Sequence, residues 1–326
     1  MNALYPLKFK PIFKEKIWGG DKIRTHLGLN FSPVVKCGEA WILSGVPGSE
    51  TKVSNGFLKG NKLNELVEVF MDDLIGETAF NKNQDEFPIL VKFIDSNDWL
   101  SIQVHPDDKL AAKRKLGNGK SEMWYVIDAD PDAELINGFS EPMDQRKYLK
   151  YLNDNKLKEI LNVEKARKDD VFFIPSGRVH ALGPGLLLAE IQQTSDTTYR
   201  IYDWDRVDEQ GKPRELHVES ALEAIDFKVY DSYRTNYQTK QNKTSNLIDC
   251  PYFVTNLLDL RQTIEKDYSA LDSFVIYIMI NGSAIIQWEN KEETIHLGET
   301  LLIPASMEMI RVKANPRCKI LEVYIP

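Results

Sequence analysis

The sequence contains little cysteine and no long apolar run. Its three cysteines, Cys37, Cys250 and Cys318, are scattered and odd in number. They form neither a CxxC metal motif nor a disulfide framework, which predicts a reducing environment. No run approaches the roughly 20 apolar residues of a membrane span, and the opening "MNALYPLKFKPIFKEK" lacks the apolar core of a signal peptide. We therefore expect a cytoplasmic protein with no membrane partner.

The chain also lacks an excess of positive charge. Its formal net charge is -8, which argues against nucleic acid or an anionic membrane as a partner. If the ligand is an anion, the positive charge that it meets must be local. An apolar content of 42% and a charged content of 28% are those of a soluble globular protein. The 326 residues are enough for two domains with their own cores.

Helical periodicity is confined to three short segments, 62–76, 143–162 and 214–227. Most of the remaining chain consists of short β-rich runs that are broken by Gly, Pro, Asn and Asp. This spacing favours sandwiches or barrels over βαβ units. The polar stretch 233–246 is a candidate linker.

A weak internal repeat supports a division at that linker. Residues 169–192 can be aligned with 298–325, so that Glu190 falls on Glu322 and His180 on Met309. The second copy keeps the apolar strand pattern but loses the polar residues. We expect a site in the first domain and a duplicated scaffold in the second.

The segment "WLSIQVHPDD", residues 99–108, alternates apolar and polar side chains, as a strand does. The side chains of Gln103 and His105 point the same way, and their Cα atoms are about 7 Å apart. With Glu122 and His180 they form a set of two imidazoles, a carboxylate and an amide oxygen that suits Zn²⁺. On spacing alone, a hydrogen-bonded or surface position is the commoner explanation for each histidine.

A second polar run extends from residue 189 to 206, "AEIQQTSDTTYRIYDWDR". Alternate residues would face one side of an extended segment without a bulge: Glu190, Gln192, Asp196, Thr198, Arg200 and Tyr202. A solvated strand is the ordinary explanation. However, the apolar flanks of Glu190 predict a buried strand, in which a carboxylate needs a partner. Asp196 and Arg200 could pair with each other, and buried charges of both signs indicate a site.

Together these motifs resemble the type I mannose-6-phosphate isomerases, which are zinc-dependent cupins. The resemblance covers residues 8 to about 227, and it rests on several motifs in order: "KIWGG", "GEAWILSG", "FPILVKFIDSNDWLSIQVHPDD", "GKSEMWYVID", "FFIPSGRVHAL", "EIQQTSDTTYRIYDWDR" and "RELHVESAL". It implies a mainly β fold of two cupin, or jelly-roll, barrel-like domains with a few peripheral helices. We expect a catalytic metal-binding domain at 1–232 and a smaller, degenerate domain without metal ligands at 247–326.

The resemblance also implies roles for individual residues. One Zn²⁺ per chain would be bound by Gln103, His105, Glu122 and His180. Catalysis would fall to Arg200, Glu190 and Asp196, and a phosphosugar substrate would meet Ser101, Lys120 and Arg206. The long members of the family have a lysine at the position of Arg206. A guanidinium binds phosphate well but is a poor proton carrier.

The implied reaction interconverts mannose 6-phosphate and fructose 6-phosphate through an enediolate. Of the two candidate proton carriers, Glu190 is favoured over Asp196 because burial between apolar neighbours raises a carboxyl pKa. Two other functions remain possible, because a fold does not fix a reaction. One is a metal-cupin of different chemistry, such as an Fe²⁺ oxygenase, and the other is a non-catalytic sugar-phosphate-binding cupin.

Overall fold

The computed structural model describes residues 3–208 and 210–326. It is mainly β, with 41% strand and 16% helix, as the sequence predicts. Within the described residues the first thirteen strands are β1 (Leu7–Lys10), β2 (Ile12–Gly20), β3 (Cys37–Leu43), β4 (Lys52–Val53), β5 (Ile89–Ser96), β6 (Ile102–Val104), β7 (Glu122–Ala129), β8 (Glu134–Phe139), β9 (Leu161–Lys165), β10 (Val171–Ile174), β11 (His180–Leu182), β12 (Leu186–Gln193) and β13 (Tyr199–Tyr202).

Seven further strands and a set of short helices complete the described elements. The strands are β14 (Thr244–Asp249), β15 (Val254–Leu260), β16 (Ile264–Asp267), β17 (Val275–Trp288), β18 (Lys291–His296), β19 (Thr300–Ile303) and β20 (Met309–Tyr324). The helices are α1 (Lys22–Thr25), α2 (Leu63–Ile75), α3 (Glu77–Asn83), α4 (Asp108–Arg114), α5 (Gln145–Asn153), α6 (Val218–Ala224) and a 3₁₀ turn (Leu157–Ile160). No helix in the described ranges is long and apolar enough to cross a membrane.

The three segments with helical periodicity contain helices. Segment 62–76 forms α2, and segment 214–227 contains α6. Segment 143–162 forms α5 and the 3₁₀ turn, but its last two residues already belong to β9. The candidate linker is only partly free of structure, because Tyr233 is buried and β14 begins at Thr244.

Two antiparallel sheets face each other in the first part of the chain. A six-stranded sheet has the order β10-β7-β12-β5-β2-β3, and a five-stranded sheet has the order β13-β6-β11-β8-β9. An apolar cluster between them draws on both sheets, with Trp124 and Leu188 from the first and Leu135 and Leu182 from the second. Such a pair of packed antiparallel sheets is the architecture of a jelly roll.

The third sheet has nine strands and contains all seven strands of the carboxyl-terminal part. Its interior holds a second apolar core, which includes Tyr277, Leu301 and Ile320. Strands β1 and β4 also belong to this sheet, because β1 pairs with β19 and with β4. The division into 1–232 and 247–326 stays a prediction, and the nine-stranded sheet takes in two strands, β1 and β4, from the amino-terminal region.

Candidate metal centre and active site

A cavity of about 270 Å³ lies between the two sheets of the first unit. It is at the small end of the range for ligand pockets. Its walls are Lys16, Trp18, Glu39, Lys92, Ile94, Leu100, Ser101, Gln103, Lys120, Trp124, Leu182, Glu190, Asp196, Thr198, Arg200 and Arg214. Two larger hollows, of about 540 and 590 Å³, have Trp288 of β17 in their walls, and no predicted site residue lines them.

Three predicted metal ligands converge beside this cavity. His105 follows β6, Glu122 begins β7 and His180 begins β11. Their ligand atoms all lie within 4.8 Å of one another, and all three residues are buried. Glu122 Oε2 is 3.5 Å from His105 Nε2, and Glu122 Oε1 is 3.4 Å from His180 Nε2. Two ligands held about 2.1 Å from one ion at a tetrahedral angle are about 3.4 Å apart.

Gln103 joins the three from the middle of β6, directly opposite His180 in the ladder. The amide nitrogen of Gln103 is 3.2 Å from His180 Nε2. Amide oxygen and nitrogen are assigned from their hydrogen bonds, and a half-turn of the amide exchanges them. The same position therefore offers an oxygen ligand to a bound cation.

Both imidazoles are prepared as neutral ligands. The Nδ1 of His105 lies 3.0 Å from the Thr197 carbonyl oxygen, and the Nδ1 of His180 lies 2.8 Å from that of Arg178. A carbonyl only accepts, so Nδ1 carries the proton and Nε2 keeps its lone pair. Burial, followed by the charge of Lys120, lowers the pKa of His105 well below its usual value. Burial also lowers the pKa of His180 to about 3.

Glu122 supplies the observation that best fits a cation. Its Oε1 is buried without a hydrogen-bond partner, while its Oε2 accepts from Lys120. An unpaired buried carboxylate oxygen costs free energy unless something positive binds it. Burial, followed by the charge of Glu190, raises the pKa of Glu122 to about 7. The donor set therefore fits a divalent cation bound by nitrogen and oxygen ligands.

The chain segments that carry these ligands are tied together behind the site. Asp108 Oδ1 accepts from the Gly119 backbone at 2.8 Å and from the Gln193 side chain at 2.9 Å. Gln193 Oε1 in turn accepts from the Ser121 backbone at 2.9 Å. A Cβ on Gly119 would meet the Asp108 nitrogen at 2.5 Å, so only glycine permits this approach. The segments leading to His105 and Glu122 are thereby held in register.

The floor of the cavity holds an ion pair that the sequence did not predict. Lys92 Nζ lies 3.1 Å from Glu190 Oε1, and Trp124 Nε1 donates to Glu190 Oε2 at 2.9 Å. Glu39 is nearby and is paired with Lys16 at 3.0 Å. The available signal was a lone lysine in the apolar run "FPILVKFID", because a charge in a buried strand needs a partner.

This pairing corrects the reasoning applied to Glu190. The sequence predicted that burial would raise the pKa of its carboxyl. Burial does act in that direction, but the charges of Lys92 and then Lys120 outweigh it and lower the pKa of Glu190 to about 2. Both oxygens of Glu190 are also occupied by hydrogen bonds. Glu190 is therefore a fixed anion of the cavity wall.

The polar run after Glu190 lines the cavity only in part. Asp196, Thr198 and Arg200 do so, but Gln192 turns its amide to the backbone oxygens of 193 and 195. The pairing of β13 with β6 shifts register between Arg200 and Tyr202, which breaks the predicted parity. The expected pairing of Asp196 with Arg200 is absent within the described residues, where the Arg200 guanidinium donates to the Glu215 carbonyl at 2.8 Å.

Arg200 lies directly opposite Gln103 in the ladder between β13 and β6. His217 supports its backbone from both sides, since His217 N donates to the Arg200 carbonyl and His217 Nδ1 accepts from Arg200 N. The Nε of Arg200 is buried without a partner. Burial, followed by the charge of Arg214, lowers the pKa of Arg200. The guanidinium thus has an unused donor beside the predicted metal site.

The remaining predicted substrate residues differ in position. Ser101 and Lys120 line the cavity, and both are buried. The ammonium of Lys120 lies 3.0 Å from His105 Nε2, at the metal-ligand end. Arg206 does not line the cavity, and it donates instead to Asp203 and to the Trp99 carbonyl. Its contact with substrate stays a prediction.

Comparison with known proteins agrees with these observations. Residues 6–159 match the family "Phosphomannose isomerase type I, catalytic domain", and residues 242–325 match "Mannose-6-phosphate isomerase, cupin domain". The chain is 34% identical to mannose-6-phosphate isomerase ManA of Bacillus subtilis over 96% of this chain and 97% of that protein. It is 32% identical to the mannose-6-phosphate isomerase of Streptococcus mutans over 93% of each.

A solved structure agrees over the same extent. The crystal structure of the mannose 6-phosphate isomerase from Bacillus subtilis superposes with a TM-score of 0.88 at 33% identity, covering 98% of this chain and 99% of that one. Near-complete coverage at this identity extends the resemblance from single motifs to the whole chain. The chain therefore belongs to the type I phosphomannose isomerase family.

Proposed function

We propose that the protein interconverts mannose 6-phosphate and fructose 6-phosphate. The buried His105–Glu122–His180 cluster, which borders a cation-rich cavity, carries this assignment together with the family membership. Lysine and arginine outnumber carboxylates in the cavity wall, although the whole chain is acidic. The local positive charge suits an anionic sugar phosphate. The three cysteines are buried and unpaired with one another, which supports a cytoplasmic location.

We assign the metal as one Zn²⁺ per chain, held by Gln103, His105, Glu122 and His180. Two neutral imidazoles and one carboxylate leave such an ion net positive. When bound, it supplies Lewis-acid stabilisation of negative charge on the substrate oxygens. The chain's own contribution is to hold neutral Nε2 atoms and the free Glu122 oxygen in place before the ion arrives.

Arg200 stabilises charge on the reacting sugar oxygens in this proposal. Its position opposite Gln103 puts the guanidinium beside the metal ligands, and its buried Nε has no competing partner. A preorganised cation in a water-poor site is worth most where charge develops in the transition state. The enediolate of an aldose–ketose isomerisation carries such charge.

We assign different roles to the two acidic candidates, Glu190 and Asp196. Glu190 is a fixed anion, because Lys92 and Trp124 occupy both of its oxygens. It holds Lys92 in place and orients the cavity wall. Asp196 lies in the wall with no side-chain hydrogen bond within the described residues, so its carboxylate is available to accept a proton. We therefore assign the transfer between C1 and C2 to Asp196, with Glu190 setting the local field.

A coupled assay of mannose 6-phosphate turnover tests the proposal, with metal content measured on the same preparation. We expect turnover without oxygen, at one zinc per chain. Turnover of another substrate only under oxygen with Fe²⁺ would identify a metal-cupin of different chemistry. Tight binding of mannose 6-phosphate without any fructose 6-phosphate would identify a binding protein.

A further inference from the structure

Two of three neighbouring arginines bind one buried carboxylate, Asp203, which lies further from the metal ligands than Arg200 does. Asp203 Oδ1 accepts from Arg206 Nη2 at 2.6 Å, and Asp203 Oδ2 accepts from Arg214 Nε at 2.7 Å. Arg214 Nη2 also donates to Oδ1, so its fork is fixed at two points. Arg200 is the third arginine, and its guanidinium is bonded only to a backbone carbonyl. Two other carboxylates near the cluster are mostly exposed to solvent: Asp98, which lies 3.6 Å from Arg206 Nη1, and Glu215.

Only one of the two arginines on Asp203 faces the cavity. Arg206 uses its donors on Asp203 and on the Trp99 carbonyl, and it lies outside the cavity wall. Arg214 lines the cavity, and its Nη1 has no partner within the described residues. A guanidinium that is oriented on one edge and open on the other is prepared to bind an oxyanion.

The strand register places Arg214 at the level of Ser101. Gln103 lies opposite Arg200 and Ile102 opposite Tyr202, so Asp203 comes one step further along, toward Ser101. The next residue, Trp204, confirms this level, because its Nε1 donates to the Leu100 carbonyl at 2.7 Å. The buried Ser101 lines the cavity and makes no side-chain hydrogen bond within the described chain.

The spacing along the extended segment 101–103, at the start of β6, suits a hexose phosphate. Side chains two residues apart on a strand are about 7 Å apart at their roots. Gln103 is at the metal end, and Ser101 is one such step away on the same face. A hexose 6-phosphate carries its reacting carbons at one end and its phosphate at the other. The cavity has its metal ligands and its Asp203-bound arginine in the same arrangement.

We propose that Arg214, oriented by Asp203, binds the substrate phosphate together with Ser101. This proposal rests on the proposed function, since it names the residue that anchors the substrate of the same site. Lys120 does not occupy the same position as Arg214, because its ammonium contacts Glu122 and His105 at the metal end. A doubly charged phosphate accepts from the open edge of the guanidinium and from the Ser101 hydroxyl.

The test measures phosphate affinity apart from chemistry. Binding of inorganic phosphate and of a hexitol 6-phosphate, which has no carbonyl to isomerise, is compared in the metal-loaded wild type and in Arg214→Ala. We expect Arg214→Ala to weaken both about 10- to 100-fold, as for a lost hydrogen bond to a charged group. Binding of the unphosphorylated hexitol stays unchanged. In turnover, KM for mannose 6-phosphate rises by a similar factor and kcat changes far less.

Two further variants separate a direct contact from a change of fold or field. Arg214→Lys keeps the charge but loses the fork, and it recovers only part of the affinity. Lys158→Met is the matched control: it removes a cation stacked 4.3 Å from the Trp204 ring, outside the cavity wall, and leaves phosphate affinity unchanged.

Two results would overturn the assignment. One is wild-type phosphate affinity in a folded Arg214→Ala protein. The other is a phosphate-specific loss in Arg206→Ala that is absent from Arg214→Ala, which would make Arg206 the anchor. A failed isomerase proposal is distinguishable, because hexitol 6-phosphate would still bind in an Arg214-dependent way while mannose 6-phosphate was not turned over.

Discussion

Lys92 and Glu190 lie directly opposite each other on β5 and β12, and both are buried. Their charged atoms are 3.1 Å apart at the floor of the cavity. Burial alone would lower the pKa of Lys92, but the charges of Glu190 and then Glu39 raise it, so the ammonium stays charged. Burying an ion pair costs free energy, and removing only one of its two charges costs much more, because the other charge stays buried.

Removing only the lysine should destabilise the protein. In Lys92→Met the Glu190 carboxylate stays buried without its cation, so we expect a loss of about 3–5 kcal/mol in the free energy of unfolding. Denaturant unfolding measures it. The double variant Lys92→Met/Glu190→Gln should recover part of that loss, because no unpaired charge remains. The exposed pair of Arg311 with Glu265 provides the control, and Arg311→Ala should change stability by less than about 1 kcal/mol. Equal losses of stability in Lys92→Met and Arg311→Ala would contradict the prediction.

The same pair predicts a pH dependence of stability. The pKa of Glu190 is about 2 in the folded protein, against an ordinary value of 4.5. The folded state therefore binds this proton less well than the unfolded state does. The resulting stability is fully present above about pH 4.5 and is lost as the pH falls toward 2. The free energy of unfolding of the wild type should fall more steeply across this window than that of Glu190→Gln. Parallel curves would show that Glu190 is not held as an anion.

Metal content should depend on the two buried imidazoles and not on the other histidines. We expect His105→Ala and His180→Ala to lose most bound zinc and most activity while remaining folded, because the apolar clusters on either side of the site are untouched. Metal analysis of purified protein measures this. His296→Ala is the control, since His296 lies on the exposed surface of β18. A double variant that lacks both imidazoles but holds one zinc at this place would exclude the assignment.

Arg200 should affect turnover more than substrate binding. If its guanidinium stabilises charge that develops in the transition state, Arg200→Ala should lower kcat by on the order of 10²–10³ and change KM far less. Zinc content should stay at the wild-type level. Arg200→Lys, which keeps the charge but not the fork, should be less severe. A raised KM at near wild-type kcat would instead make Arg200 part of the phosphate site.

Asp108 and its neighbour Asp107 form a matched pair for testing the support of the metal site. Asp108→Ala removes the acceptor shared by Gly119 and Gln193, and should weaken zinc affinity about 10- to 100-fold. The Asp107 side chain instead caps α4 by accepting from Leu110 N. Asp107→Ala should therefore cost about 1 kcal/mol of stability and leave zinc affinity unchanged. Competition with a chelator measures the affinity. Equal losses in the two variants would assign the effect to the helix.

Local sequence patterns were sufficient to predict the positions of residues that lie within one motif. The alternation in "WLSIQVHPDD" predicted that Gln103 and His105 share a face, and both reach the metal cluster. The role of Lys92 could not be read in this way, because its partner is about a hundred residues away and is fixed by the register of β5 on β12. Arg214 likewise lines the cavity beside a partner, Asp203, that lies eleven residues away in the sequence.

The same limit explains the error about Glu190. Its apolar flanks correctly predicted burial, but sequence neighbours do not reveal which charges lie across a sheet. The pKa of the carboxyl is set by Lys92 and Lys120, which come from two other strands or their approaches. Parity failed at Tyr202 for a related reason, since the register shift in β13 depends on how that strand meets β6.

The pairing of β1 with β19 has a consequence for how the chain is made. Leu7 lies opposite Leu302, so β1 can pair with β4 early in synthesis, whereas its pairing with β19 waits until residues 300–303 have been made. All four predicted zinc ligands, residues 103 to 180, are translated before β19 exists. The predicted metal site can therefore form before β1 pairs with β19. An extension fused at the amino terminus would therefore slow the pairing of β1 with β19 and leave formation of the predicted metal site unchanged.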